Sequence, residues 1–264
     1  MRLLTLNTHS YIEENQTEKL ATLIETIIEH DYDVIALQEV NQRIDSPPVG
    51  EGKIHEDNFA RVLTEKLAAR GHHYTYDWQM AHIGYDIYEE GVAILTKHPV
   101  INTSFIPLTS STDTTYWKTR VALKVTIQYN NTVIDCISTH HGFWDDCDEP
   151  SKQQFDRLIA ELDPSRPTFI LGDFNTEADV RNEGYDYLLS QGLIDTYTLA
   201  CDKDQGVTVP GAIDGWKQAA GSKRIDYIFT NQPVSVVSSH VIFNDINRPV
   251  VSDHFGVDVT VTLP

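Results

Sequence analysis

The stretch Thr168-Phe169-Ile170-Leu171-Gly172-Asp173-Phe174-Asn175 carries the clearest chemical signal in the chain. A short apolar run between Pro167 and Gly172 reads as a buried strand. Just past it, Asp173 and Asn175 stand two positions apart and point the same way from a strand-like backbone. A carboxylate and a carboxamide aimed together from a rigid base suit a phosphate or a metal ion. Gly-Asp-x-Asn also suits an ordinary turn. What separates the two readings is its company. Polar residues recur where other predicted strands end: Asn7, Glu39, Glu90, His140, Asp226, and Asp253 with His254. Strand ends at one rim of a sandwich converge in space, so the recurrence has geometric meaning.

Those residues need elements to place them. Arg2 to Leu6 reads as a first strand ending at Asn7. Thr17 is expected to cap a helix whose Leu20, Leu23, Ile24, Ile27 and Ile28 keep helical spacing. Val34 to Gln38 is a second buried strand that delivers Glu39 at its end, and residues 43–57 read as a loop. Phe59, Val62, Leu63 and Leu67 mark a second helix, ended by Gly71. The pattern then changes to period two, with strands expected over Tyr74–Gln79, Gly91–Leu95 and Val100–Phe105. Arg120–Tyr129 and Val133–Thr139 form a hairpin about Asn130-Asn131, the second strand leading to His140. Phe155, Leu158, Ile159 and Leu162 suggest a third helix, and a short one lies near Tyr185–Leu189. Ile225–Thr230, Val234–Val241 and Gly256–Leu263 supply the last strands. Strands outnumber helices, with no repeat and no linker. The expected fold is one α+β domain over residues 1–264, with two mostly antiparallel sheets packed face to face and helices outside.

Bulk properties narrow the class. The 264 residues are 41% hydrophobic and 22% charged, which is enough apolar material for a sizeable core. Cys136, Cys147 and Cys201 are too few and scattered for a disulfide framework or a zinc cluster, and they fit a reducing compartment. The N-terminus does not read as a signal peptide, and no apolar run reaches membrane-spanning length, so a cytoplasmic location is expected. Thirty-nine acids against 20 bases give a net charge of −19. Nucleic-acid binding draws most of its affinity from basic side chains, so this surface disfavours a polyanion and favours a small substrate.

Seven pieces in order resemble the endonuclease/exonuclease/phosphatase superfamily: Leu6-Asn7, Leu37-Gln38-Glu39-Val40, Glu90-Gly91-Val92-Ala93-Ile94-Leu95, Ser138-Thr139-His140, Gly172-Asp173-Phe174-Asn175, Arg224-Ile225-Asp226-Tyr227-Ile228 and Ser252-Asp253-His254. The resemblance runs nearly end to end. It implies a four-layer α/β/β/α sandwich and metal-assisted attack of water on phosphorus. Glu39 is then the expected principal Mg²⁺ ligand, with Asn7 and Asp253 nearby and Mn²⁺ as a substitute. His254 becomes the expected general base or phosphate ligand, held by Asp226. His140 is expected at the phosphate, oriented by Glu90, with neighbouring His141 set aside. Asp173 and Asn175 would align the attacking water, and either Asp173 or His254 takes its proton. Arg120 matches a family arginine near the phosphate, though a surface salt bridge is the other reading.

The family leaves the substrate open. Phe143-Trp144-Asp145-Asp146 follows His140-His141, and sugar sites pair an aromatic face with carboxylates. Trp144 and Asp145 are therefore expected substrate contacts, although an aromatic here equally suits the core. Trp78, Tyr85, Tyr88, Tyr116 and Trp117 are read mostly as packing residues. The His-His-Gly-Phe-Trp-Asp-Asp run is most similar to a small bacterial branch acting on phosphorylated sugars. That resemblance implies a phosphomonoesterase with maltose 6′-phosphate as the expected substrate. A DNA endonuclease would want basic loops, where only scattered lysines such as Lys217 and Lys223 occur. A sphingomyelinase-like phosphodiesterase would want an exposed apolar hairpin for a membrane, and none is evident. A binding relative without chemistry would be expected to lack one of the metal or histidine positions. Oligomeric state is not legible.

Overall fold

The computed structural model describes residues 1–211 and 221–263, so Lys217 lies outside the described residues. The chain opens with β1 (Arg2–Asn7), α1 (Gln16–His30), β2 (Val34–Arg43) and α2 (Phe59–Ala68). Strands β3 (Thr75–Gly84), β4 (Tyr88–Thr96), β5 (Val100–Pro107), β6 (Val121–Tyr129) and β7 (Thr132–His140) follow. Next come α3 (Ser151–Ala160), β8 (Thr168–Asp173), α4 (Gly184–Ser190), β9 (Ile194–Asp195), α5 (Thr196–Leu199) and β10 (Asp202–Lys203). The last strands are β11 (Asp226–Thr230), β12 (Ser235–Ile242) and β13 (Gly256–Thr262).

A seven-stranded sheet runs β10-β12-β13-β1-β2-β4-β3, and a six-stranded sheet runs β5-β6-β7-β8-β11-β9. Both are mixed and mostly antiparallel, with parallel pairs at β1–β2, β10–β12 and β7–β8. Period-two alternation sorts the side chains into three buried layers. Leu3, Ala36, Val92 and Ile94 of the first sheet meet Leu123, Cys136, Phe169 and Leu171 of the second. Leu4, Leu6, Ile35 and Leu37 turn outward under α1 and α2. Ile137, Ile170, Tyr227 and Phe229 turn outward under α3 and α4. The result is the four-layer α/β/β/α sandwich that the sequence implies. Among the described residues no helix is long and apolar enough to cross a membrane.

The same alternation positions the polar residues. Asn7 continues the inward row Leu3-Thr5, His140 continues Cys136-Ser138, and Asp173 continues Phe169-Leu171. Glu90 and Asp226 precede the inward residues Val92 and Ile228. All five thus face the gap between the sheets where its apolar filling stops. A buried polar tie lies beneath them: Gln38 donates to Ser138 across the gap at 3.1 Å and accepts from Thr5 at 3.2 Å. Gly172 permits the close parallel approach of β8 to β7, since a Cβ there would sit 1.9 Å from the Thr139 carbonyl oxygen. Only glycine fits.

Several boundaries differ from the sequence reading, three of them near the polar residues. Helix α1 starts at Gln16 after Asn15, so Thr17 lies inside its first turn rather than at the cap. Strand β2 does not end at Gln38 but continues to Arg43. Leu37 faces Ala93 and Val40 faces Gly91, so Gln38 and Glu39 together oppose one residue of β4. That is a bulge, and Glu39 adopts φ 50° within it. Strand β3 likewise runs on past Gln79, through an irregularity between Met80 and His82, to Gly84.

Candidate active site

Of the inward polar residues, Glu90, His140 and Asp173 line one open cleft of about 280 Å³ with Glu39, His82, Arg120, Phe143, Asn175 and His254, while Asn7 and Asp226 touch it through Asp173 and His254. Asp173 sits at its centre and is buried. Its carboxylate accepts from the Asn175 backbone N–H at 2.9 Å and from the Asn7 side-chain amide at 3.2 Å. The first of these is an Asx-type turn, and it holds Asn175 at φ 47°. His254 Nε2 and His140 Nε2 lie 3.7 and 3.6 Å from the same oxygen of Asp173.

Behind His254, Asp226 takes Nδ1 at 3.0 Å. Burial opposes charge on this ring, but Asp226 and Asp173 outweigh it and lift its pKa to about 10. His254 is therefore an imidazolium at neutral pH. Burial, then the Asp226 charge, push Asp173 up to about 7. His140 is the opposite case, because burial and then the Arg120 charge hold it neutral. Asn175 Nδ2 approaches His140 Nε2 at 3.2 Å and donates to the His141 carbonyl at 2.8 Å. His141 itself is structural: it stacks on Phe174 at 5.1 Å and bonds Thr139 at 2.9 Å.

The other side of the cleft holds a second polar group. Arg120 donates through Nη1 to the carbonyls of Trp117 at 2.8 Å and Thr119 at 3.1 Å. Its Nε is buried without a hydrogen-bond partner. Arg120 is buried in the cleft lining, where a guanidinium suits an incoming anion, and its burial disposes of the surface salt bridge. Glu90 lies 3.4 Å from His82 Nε2. Burial and the nearby Glu39 charge raise Glu90 to about 8, while burial and Arg120 depress His82 to about 3. The pair is thus a carboxyl group beside a neutral imidazole.

A model of the "Endonuclease/Exonuclease/phosphatase family" matches residues 4–254. The chain belongs to this family. An endonuclease/exonuclease/phosphatase family protein from Leptotrichia buccalis C-1013-b is 38% identical, with 100% of each chain covered and a TM-score of 0.93. More distant likenesses show the shared fold. Mannosyl-6-phosphatase Bt3783 of Bacteroides thetaiotaomicron VPI-5482 is 16% identical over 100% of both chains, with a TM-score of 0.66. D. rerio TDP2 complexed with a single-strand DNA product is 15% identical over 100% of this chain and 99% of that one, with a TM-score of 0.65. A comparison with curated proteins finds no match.

The family is hydrolytic and generally depends on a divalent metal. The donor set here fits such an ion. Asn7 donates to Glu39 at 2.9 Å, and the Asp253 charge acts on Glu39, raising its pKa after burial as the larger cause. A buried carboxylate that feels a neighbouring carboxylate's charge is what a hard cation relieves. Among the described residues two clusters of three bring ligating atoms within 4.8 Å of one another: His9, Glu13 and Asp253, and Asp173, Asp226 and His254. In the first, Glu13 already holds both His9 and Lys19. In the second, His254 Nδ1 already pairs with Asp226 at 3.0 Å.

Several expectations change in this family member. Trp144 does not line the cleft; it stacks on Phe155 at 6.4 Å and Tyr187 at 5.8 Å, over the outer helices. Asp145 is exposed and also lies off the cleft. A strand end followed by a turn can send such a run either way, and the pull of the apolar α3–α4 layer decides it. Glu90 pairs with His82 rather than His140, because the longer β3 brings His82 opposite it. His82 escaped the sequence reading for that reason. Tyr85 and Trp117, read mostly as packing residues, line the cleft instead.

Proposed function

We propose that the chain acts as one catalytic domain over residues 1–264, a divalent-metal-dependent phosphomonoesterase of a small phosphorylated sugar, with maltose 6′-phosphate as the substrate. The observation that carries this reading is the cleft itself. It is small, and its lining brings the Arg120 guanidinium together with Asp173, which two histidines flank. The molecule around it carries a net charge of −19, which repels an extended polyanion but leaves a local anion site intact. The Bacteroides thetaiotaomicron neighbour of like fold is a mannosyl-6-phosphatase, which agrees in reaction type and substrate class.

The residues divide the work as follows. Arg120 receives the phosphoryl group, and the His254 imidazolium adds a second positive donor held in place by Asp226. Asp173, oriented by Asn7 and the Asn175 N–H, takes the proton of the attacking water; its raised pKa places it near the working pH, as general-base catalysis favours. His254, already protonated, is not the acceptor. Neutral His140 with Asn175 fixes the position of the oxyanions and water. Among the described residues no serine, threonine or cysteine lines the cleft, so water attacks directly. Glu39, Asn7 and Asp253 would hold Mg²⁺, or Mn²⁺ in its place, and such an ion would supply positive charge against the charge developing on the phosphoryl and leaving oxygens. The protein works in the cytoplasm, where phosphorylated sugars are found.

The metal requirement is directly testable. EDTA followed by gel filtration is expected to stop phosphate release from maltose 6′-phosphate, and millimolar Mg²⁺ to restore it. Turnover that survives complete metal removal would refute the metal-assisted reading.

A further inference from the structure

Trp117 and Tyr85 are not accounted for by the chemistry above. Among the described residues three aromatic side chains are more than half exposed, and two of them, Trp117 at 55% and Tyr85 at 54%, line this cleft. Exposing large apolar rings to water is unfavourable, so a matched pair at a cleft mouth points to a ligand surface.

Both rings are held rather than loose. The Trp117 carbonyl accepts from Arg120 at 2.8 Å, which ties the backbone at Trp117 to the guanidinium. Lys118 sits 5.6 Å from the Trp117 ring centroid and is locked by Asp146 and Asp148, each at 2.8 Å. Tyr85 lies in the β3–β4 turn at φ 52°, an unfavourable backbone state for a bulky residue that the fold nonetheless maintains. The two segments are joined, since the Ile83 N–H donates to the Thr114 carbonyl at 2.7 Å.

We propose that Trp117 and Tyr85 form a stacking platform for the second ring of a phosphorylated disaccharide, whose phosphorylated ring lies inside the cleft beside Glu90 and His82. The proposal rests on the sugar-phosphatase reading and deepens it. A cleft of about 280 Å³ is at the lower edge of the ~300–1,000 Å³ range of small-molecule sites. One phosphorylated ring fills it, and a glycosidically linked neighbour must emerge at the mouth. The C–H face of a pyranose is apolar and slightly positive, complementary to the negative face of an aromatic ring. The Glu90 carboxyl group and the neutral His82 provide hydroxyl partners for the inner ring.

The test compares kcat/KM for maltose 6′-phosphate and glucose 6-phosphate in wild type, Trp117→Ala and Trp117→Phe, with a nucleoside 5′-monophosphate as a third substrate. Trp117→Ala is expected to lower kcat/KM for the disaccharide about tenfold more than for the monosaccharide, mainly through KM, and Trp117→Phe to recover most of it. Equal losses on both sugars would overturn the platform while leaving the phosphatase reading standing. A wild type that ignores both sugars and cleaves the nucleotide would overturn both.

Discussion

Replacing Asp173 with Asn is expected to cut turnover by about 10²–10⁴-fold while leaving the fold intact, the range lost with a positioned general base. The amide keeps the shape of the carboxylate but cannot accept a proton. Its NH₂ would also have to avoid the Asn7 amide, which now donates to Asp173. Stability should move the other way. Asp173 is held near 7 by burial and Asp226, above its ordinary 3.8, so its ionised form is disfavoured in the folded state. The metal-free wild type therefore loses stability from this group as pH rises from about 4 through about 7. Asn carries no such penalty, so its melting temperature in EDTA at pH 8 should equal or exceed that of wild type. Near-normal turnover in Asp173→Asn would sink its assignment.

His254→Gln should reduce turnover by about 10²–10³-fold, because the donor facing the phosphoryl group loses its charge. Here stability and activity fall together. The folded-state pKa of His254 is raised to about 10 from 6.5, so its contribution is fully present below pH 6.5 and is lost as pH rises toward 10. In EDTA, the variant is therefore expected to unfold at lower urea than wild type at pH 6. The gap should narrow steadily to pH 10. A gap independent of pH would mean that the imidazolium–carboxylate pairing with Asp226 is not what holds this ring.

The sequence exposed most of the inner layer for a simple reason. Period-two rows such as Phe169-Leu171-Asp173 and Cys136-Ser138-His140 state both which face is buried and where apolar filling stops. Gly172 was read as the strand's boundary but lies inside β8, where only glycine tolerates the Thr139 carbonyl, a close approach that a sequence does not display. Irregularities broke the rule. Glu39 reaches the cleft from a bulge inside a strand that continues to Arg43, and a strict alternation has no way to signal an inserted residue. The irregularity between Met80 and His82 concealed the end of β3, and with it the true partner of Glu90. Aromatics were the least legible. Trp144 and Trp117 both stand close to site residues in sequence, yet the first packs over the outer helices and the second opens to the cleft. That choice depends on which neighbouring layer offers apolar surface, which is tertiary information.

The most direct test is phosphate release from maltose 6′-phosphate in Mg²⁺, with trehalose 6-phosphate and glucose 6-phosphate alongside and a supercoiled-plasmid nicking assay run on the same enzyme. Fast, EDTA-sensitive release from maltose 6′-phosphate with the plasmid left intact is the expected result. Nicked plasmid with idle sugar phosphates would contradict it and assign the cleft to phosphodiester cleavage in DNA.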